Sequence, residues 1–161
     1  MASGVRDTFN KTGEIEKIIR QSAQRAITRL CNDTVAAAKV HITTQVYDTP
    51  ESATYRRTGA ARESIFAHTP ETNNYPEAIA SARSMNPREG VIDDIELNHN
   101  PNLIEGIAGA GMDYSVHIEF GTEQAHVSVP PRPFMTPAAE QVGPTSGDVC
   151  HEELVKGMAR I

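Results

Sequence analysis

Apolar and small residues recur at Ile15, Ile18, Ile19, Ala23, Ala26, Ile27, Leu30, Thr34, Ala37, Ala38 and Ile42. Steps of three and four place them on one face of a helix. Glu16, Lys17, Arg20, Arg25, Arg29 and Lys39 mark the opposite face. The pattern predicts a long amphipathic helix. Thr12 is its expected N-cap, with Glu14 and Glu16 in the first turn, where the helix dipole favours carboxylates. Residues 1–12 read as a flexible arm ahead of it. The β-branched stretch His41 to Val46 can continue the helix. Asp48-Thr49-Pro50 ends it, because the residue before proline avoids the α region. At 1.5 Å per residue, about 30 helical residues span roughly 45 Å. That is long for a chain of this size, so part of the rod is expected to project or to pack on a neighbour.

Further on, Thr58-Gly59 reads as a turn and Ser64-Ile65-Phe66-Ala67 as a short strand. Pro76 to Met85 reads as a short helix with proline in its first turn. Val91 to Leu97 and Leu103 to Ala110 read as the strands of a hairpin, joined by the turn-forming run Asn98-His99-Asn100-Pro101-Asn102. Gly106, Gly109 and Gly111 weaken the second strand and point to a bulge or a close approach. The segment 73–102 is thus a long insertion carrying a helix and a hairpin. Tyr114, Val116, Ile118 and Phe120 alternate, which favours a strand by period alone and leaves a short helix open. Val129-Pro130-Pro131-Arg132-Pro133 must be extended. Thr136-Pro137 is an N-cap and first-turn pair for a helix through Val142. Gly143-Pro144 interrupts it, and a second helical piece follows from Asp148 to Arg160.

Length fits one domain, 1–161. Aromatic content is 5% with no Trp, so the core must rest on aliphatic residues and a few Phe and Tyr. A net charge of −6 argues against general nucleic-acid binding, which needs a basic footprint. It is compatible with a wall past which DNA slides without sticking. Cys31 and Cys150 form no paired motif, so a reducing compartment is expected. No apolar run is long enough to span a membrane, and no leader-like start is seen.

Catalytic motifs are missing: there is no nucleophile elbow, phosphate loop or paired-histidine zinc motif. His117 and His126 bracket Glu119, which raises a small metal-dependent hydrolase as an alternative. The ordinary reading makes them surface or half-buried side chains. Cys150-His151 are neighbours whose side chains point about 100° apart on a helix, a poor ligand pair. Arg56, Arg57 and Arg62 form a small basic cluster. It is either a solvated turn or a contact to an acidic partner or DNA. No cofactor, metal or catalytic residue is expected.

The most structured segment is Tyr114-Ser-Val-His-Ile-Glu-Phe-Gly-Thr122, followed by Pro131-Arg-Pro-Phe-Met-Thr-Pro-Ala138. Gly121 suits a turn with positive φ. Phe120 and Phe134 are candidate anchors on either side of the loop. Arg132, held between prolines, is placed to pair with Glu119. The physical reading is a loop clamp that needs no substrate.

These residues resemble the pattern of a siphophage head–tail joining family of tailed bacteriophages, comprising neck, tail-component and tail-completion proteins. The matching positions are Tyr114, Glu119, Phe120, Gly121 and Thr122, then Arg132, Pro133, Phe134, Pro137 and Ala138. A second block is similar to the family's stretch after its first helix: Thr58, Gly59, Arg62, Ser64 and Ile65. The order of elements agrees too. The resemblance implies an α+β fold, with a long N-terminal helix and a C-terminal helix packed on a small antiparallel β-sheet. It also implies a non-enzymatic virion protein of the neck, present in the host cytoplasm during assembly. Such a protein would form a hexameric homo-oligomeric ring between head connector or adaptor proteins and the tail terminator or tail tube. DNA would pass its lumen without sequence-specific binding. A non-virion regulatory binding protein is the other alternative. The motif residues are expected to shape the subunit. Joining is expected to use the far end of the first helix, the 73–102 excursion and the loop from Glu123 to Val129.

Overall fold

The computed structural model describes residues 3–50, 57–87, 90–92, 103–124 and 127–159, with side chains from residue 11 onward except at 124 and 127. The fold is α+β, as the resemblance implied. Helix α1 spans Ser3–Ile42 and runs on into a π-helical turn at Thr43–Tyr47. The expected arm is therefore helical from Ser3, and Thr12 lies inside α1 rather than at its N-cap. Residues 15 to 42 could mark the helical face but not its start, because Val5 and Phe9 are too few to extend the stripe and Gly4 and Gly13 weaken the helical signal.

After α1 come α2 (Ala60–Glu63), β1 (Ile65–His68) and α3 (Tyr75–Met85). β2 (Ile107–Ala110) pairs antiparallel with β1, with Ile65 opposite Ala110 and His68 opposite Ile107. The second strand is thus shorter than the Leu103 to Ala110 expected. Val91 bridges Met112 in antiparallel sense, and the rest of the proposed hairpin lies outside the described residues. The glycines mark close approach, not a bulge. A side chain at Gly109 would stand 3.1 Å from the Phe66 ring, and one at Gly106 2.9 Å from Cys31 Sγ.

The chain then forms α4 (Ser115–Phe120), a ribbon of β3 (Thr122–Gln124) and β4 (Val127–Val129), α5 (Met135–Val142) and α6 (Ser146–Met158). A 3₁₀ turn at Gly143–Thr145 joins α5 to α6, where the Gly143-Pro144 break was expected. α1 carries the sheet on one side and the closing helices α5 and α6 on another. The main core joins Val35, Ala38, Ile42 and Val46 of the first helical run to Ala61, Ile65 and Ala67, and to Ile118, Phe134 and Ala138. Both recognisable sequence blocks thus meet in one apolar cluster.

The segment Tyr114 to Phe120 is a helix, not the strand its alternation favoured. Ser115, Ile118 and Glu119 are the buried residues, which is helical spacing, while Val116 and Phe120, one turn apart, face solvent. The alternation of residue types did not match the alternation of burial.

The π turn is held by the arginines. Arg57 donates from its guanidinium to the carbonyls of Tyr47 (3.3 Å), Thr49 and Pro50 (2.8 Å), and to the Thr49 hydroxyl (3.1 Å). Carbonyls at a helix end lack intrahelical partners, and a cation is favoured there. Arg62 lies 5.3 Å from the Tyr47 ring centroid and pairs with Glu63. Arg56 lies outside the described residues. Arg57 and Arg62 of the basic cluster thus make contacts within their own chain.

Candidate functional site

The two halves of the motif meet at the start of α5. Glu119 Oε2 accepts hydrogen bonds from the backbone N–H groups of Phe134 (2.7 Å) and Met135 (2.9 Å), and Oε1 accepts one from Thr136 (2.8 Å). The first N–H groups of a helix have no intrahelical acceptor. Here one carboxylate from a different helix satisfies three of them and sits at the positive end of the α5 dipole. Phe134, at the N-cap position, supplies no side-chain cap of its own.

Glu119 is 6% exposed. Burial by itself pushes its pKa up. The Thr136 hydroxyl and the three backbone N–H groups outweigh that and hold the carboxyl below the usual carboxylate range. The fold thus favours its ionised form.

Gly121 completes the clamp. Its φ is +74°, as its place in the loop predicted. A Cβ there would stand 2.6 Å from the Val129 carbonyl oxygen and 2.8 Å from Pro131 N. The chain leaves α4, runs out along β3, returns along β4 with Thr122 opposite Val129, and is tied back where Arg132 N–H donates to the Ile118 carbonyl (2.8 Å). Pro133 follows, and the phenyl ring of Phe134 enters the core at 1% exposure. Pro137 lies in the first turns of α5, and Ala138 is buried.

Three expectations for this segment are corrected. Glu119 binds backbone N–H groups and not the Arg132 side chain, whose contribution to the clamp is its backbone N–H. Phe120 is no anchor: it is 70% exposed. Thr136 is not the N-cap: α5 starts at Met135, Phe134 holds the N-cap position, and Glu119 supplies the capping carboxylate. The correction at Glu119 has a plain cause. A carboxylate between a helix and a loop can be met by a cation or by the backbone, and residue types alone do not separate the two.

The upstream block is structural in the same way. Gly59 has φ +84° and opens α2, with Thr58 Oγ1 accepting from Ala60 N–H (3.3 Å). The Ser64 hydroxyl, fully buried, donates to the Ala61 carbonyl (2.8 Å), and Gly111 N–H donates to the Ser64 carbonyl (3.0 Å). Ile65 enters the shared core beside Ile118 and Phe134. Tyr114 packs on both apolar clusters.

The hydrolase trio is not brought together. His117 is exposed while Glu119 is buried, the two lying about 200° apart around α4. His126 lies outside the described residues. Cys150 and His151 are both exposed on α6. Among the described residues no three of His, Cys, Asp and Glu are grouped to hold a metal. An open groove of about 480 Å³ runs between α1, β2 and α5, lined by Leu30, Cys31, Thr34, Gly106, Ala108, Met135, Thr136 and Ala139. Burial pushes the Cys31 thiol up, away from the reactive thiolate.

No protein family, curated protein or solved structure matches this chain. Among the described residues, no helix is long and apolar enough to cross a membrane.

Sequence reasoning missed a second polar centre. Arg25 and Arg29 of α1 meet Glu152 and Glu153 of α6, and Lys156 pairs with the same two glutamates from their own helix. In the sequence Arg25 and Arg29 mark only the polar face of the first helix, because spacing in sequence cannot show which helix crosses it.

Proposed function

We propose that the chain is a non-enzymatic structural protein of the neck of a tailed bacteriophage. In this reading it completes the tail and joins it to the head connector as a homo-oligomeric, hexameric ring around the DNA channel. The observation that carries the reading is the use made of the family-like residues. Glu119, Gly121, Phe134 and Ile65 all hold their own subunit together, and none presents chemistry to a substrate. The outward products of the clamp are apolar: Val116 is 50%, Phe120 70% and Val129 40% exposed. Such surface fits a subunit completed by neighbours. Closure of a ring repeats one such contact, so each can be weak. The tail terminator or tube lies on one side and connector proteins on the other. DNA passes an overall acidic protein without sequence-specific contact.

The test is genetic and compositional. Mass spectrometry of purified virions is expected to find the protein at about six to twelve copies per particle. Deletion of its gene is expected to leave filled heads and separate tails. Normal head–tail joining without the gene, or absence of the protein from virions, overturns the proposal.

A further inference from the structure

The two closing helices are held by different means. α5 is fixed by the Glu119 clamp and by Phe134 and Ala138 in the core. α6 buries only Val149, Glu153 and Gly157. Its larger apolar residues Leu154, Val155 and Met158 are 37–52% exposed. Gly157 lets it lie close on α1, where an added Cβ would collide with Ser22 and stand 2.9 Å from Ile18.

Beside that close approach, charge pairs cross the α1–α6 contact. Arg25 pairs with Glu153 (3.3 Å) and Arg29 with Glu152 (2.6 Å). Lys156 reaches both glutamates, at 2.8 and 3.1 Å, and Asp33 lies 4.0 Å from Arg29. Three cations face three anions, so the network is neutral and self-contained. Arg29, Glu152 and Lys156 are about half exposed and open to screening, while Glu153 and Arg25 are more enclosed. The link to α5 is an exposed 3₁₀ turn, and neither Gly143 nor Gly147 has a neighbour within 4 Å of an added Cβ.

We infer that α6 is an ion-latched arm: it docks on α1 through this charge network and releases as a unit about the Gly143–Thr145 turn, with α5 left in place. Regions that bury few apolar side chains open locally at lower free energy than the rest of a fold. Release bares the Ile18–Ser22 side of α1 that Gly157 covers. The latch is independent of the phage reading, since it uses only contacts within one chain.

Hydrogen exchange tests it on the full chain. Amide protection is followed in α6 and in α5 as sodium chloride rises from about 0.1 M to about 1 M, which shortens the screening length from roughly 10 Å to roughly 3 Å. Protection in α6 is expected to fall about tenfold while that in α5 holds, the scale set by several pairs that are each weak. Arg29→Gln, which removes the exposed α1 partner of Glu152 and Glu153, is expected to reproduce part of the fall at low salt and to reduce the remaining salt dependence. It removes an exposed cation, so the chain stays folded. Salt-independent protection in α6, or loss of protection in α5 and α6 together, overturns the inference.

Discussion

Replacing Glu119 by alanine removes the acceptor for three backbone N–H groups at once. The buried Phe134 N–H and those of Met135 and Thr136 are left without it. A lost helix cap costs about 1–2 kcal/mol. A buried donor left unsatisfied costs about 1–3 kcal/mol. These contributions overlap, and water reaches the more exposed Thr136. A total of about 3 kcal/mol follows, a large part of the roughly 5–15 kcal/mol that holds a domain together. Glu119→Gln keeps the shape and one acceptor oxygen but sets an amide NH₂ against backbone donors, for a loss of about 2 kcal/mol. Urea unfolding monitored by circular dichroism reads both values. The pH dependence separates the charge from the shape. The folded pKa of Glu119 lies below its unfolded value. Its stabilisation is thus complete above the unfolded pKa and is lost as pH falls through the folded one. The gap between wild type and Glu119→Gln is therefore expected to be full at neutral pH and to narrow on acidification. A loss below about 0.5 kcal/mol for Glu119→Ala, within the range of ordinary surface changes, would refute the cap. So would a gap that stays constant down to low pH.

Two further outcomes follow from the same clamp. Gly121→Val combines a positive φ with a collision against Val129 and Pro131, and is expected to cost more than about 3 kcal/mol or to leave no soluble protein, read by thermal melting and yield. Phe120→Ser is expected to change the unfolding free energy by less than about 0.5 kcal/mol, because the ring is already in solvent; on the proposed function it still abolishes head–tail joining, scored by plaque complementation, and a large loss of stability would instead make the ring an internal anchor.

The amino-acid sequence by itself determined the local elements with strong physical punctuation. The apolar stripe from Ile15 to Ile42 gave the long helix, since only one helical face can bury it. Pro50 ended that run, Pro76 opened α3, and Gly143-Pro144 split the closing helices. Gly121 was legible as a positive-φ position because a loop reverses there. What chain-local patterns could not supply was the partner of each polar group. Glu119 caps a helix that begins some way further along the chain, Arg57 closes the end of α1, and Arg25 and Arg29 face α6. Each of those pairings is made between segments whose separation in sequence says nothing of their distance in space. Phe120 shows the converse. Its type and alternation marked it for the interior, but α4 is too short for period to decide its geometry. Burial of Ile118 and Glu119 fixed the helix's orientation and turned Phe120 outward. Tertiary structure decided which residues of the motif hold the subunit and which it leaves on the surface.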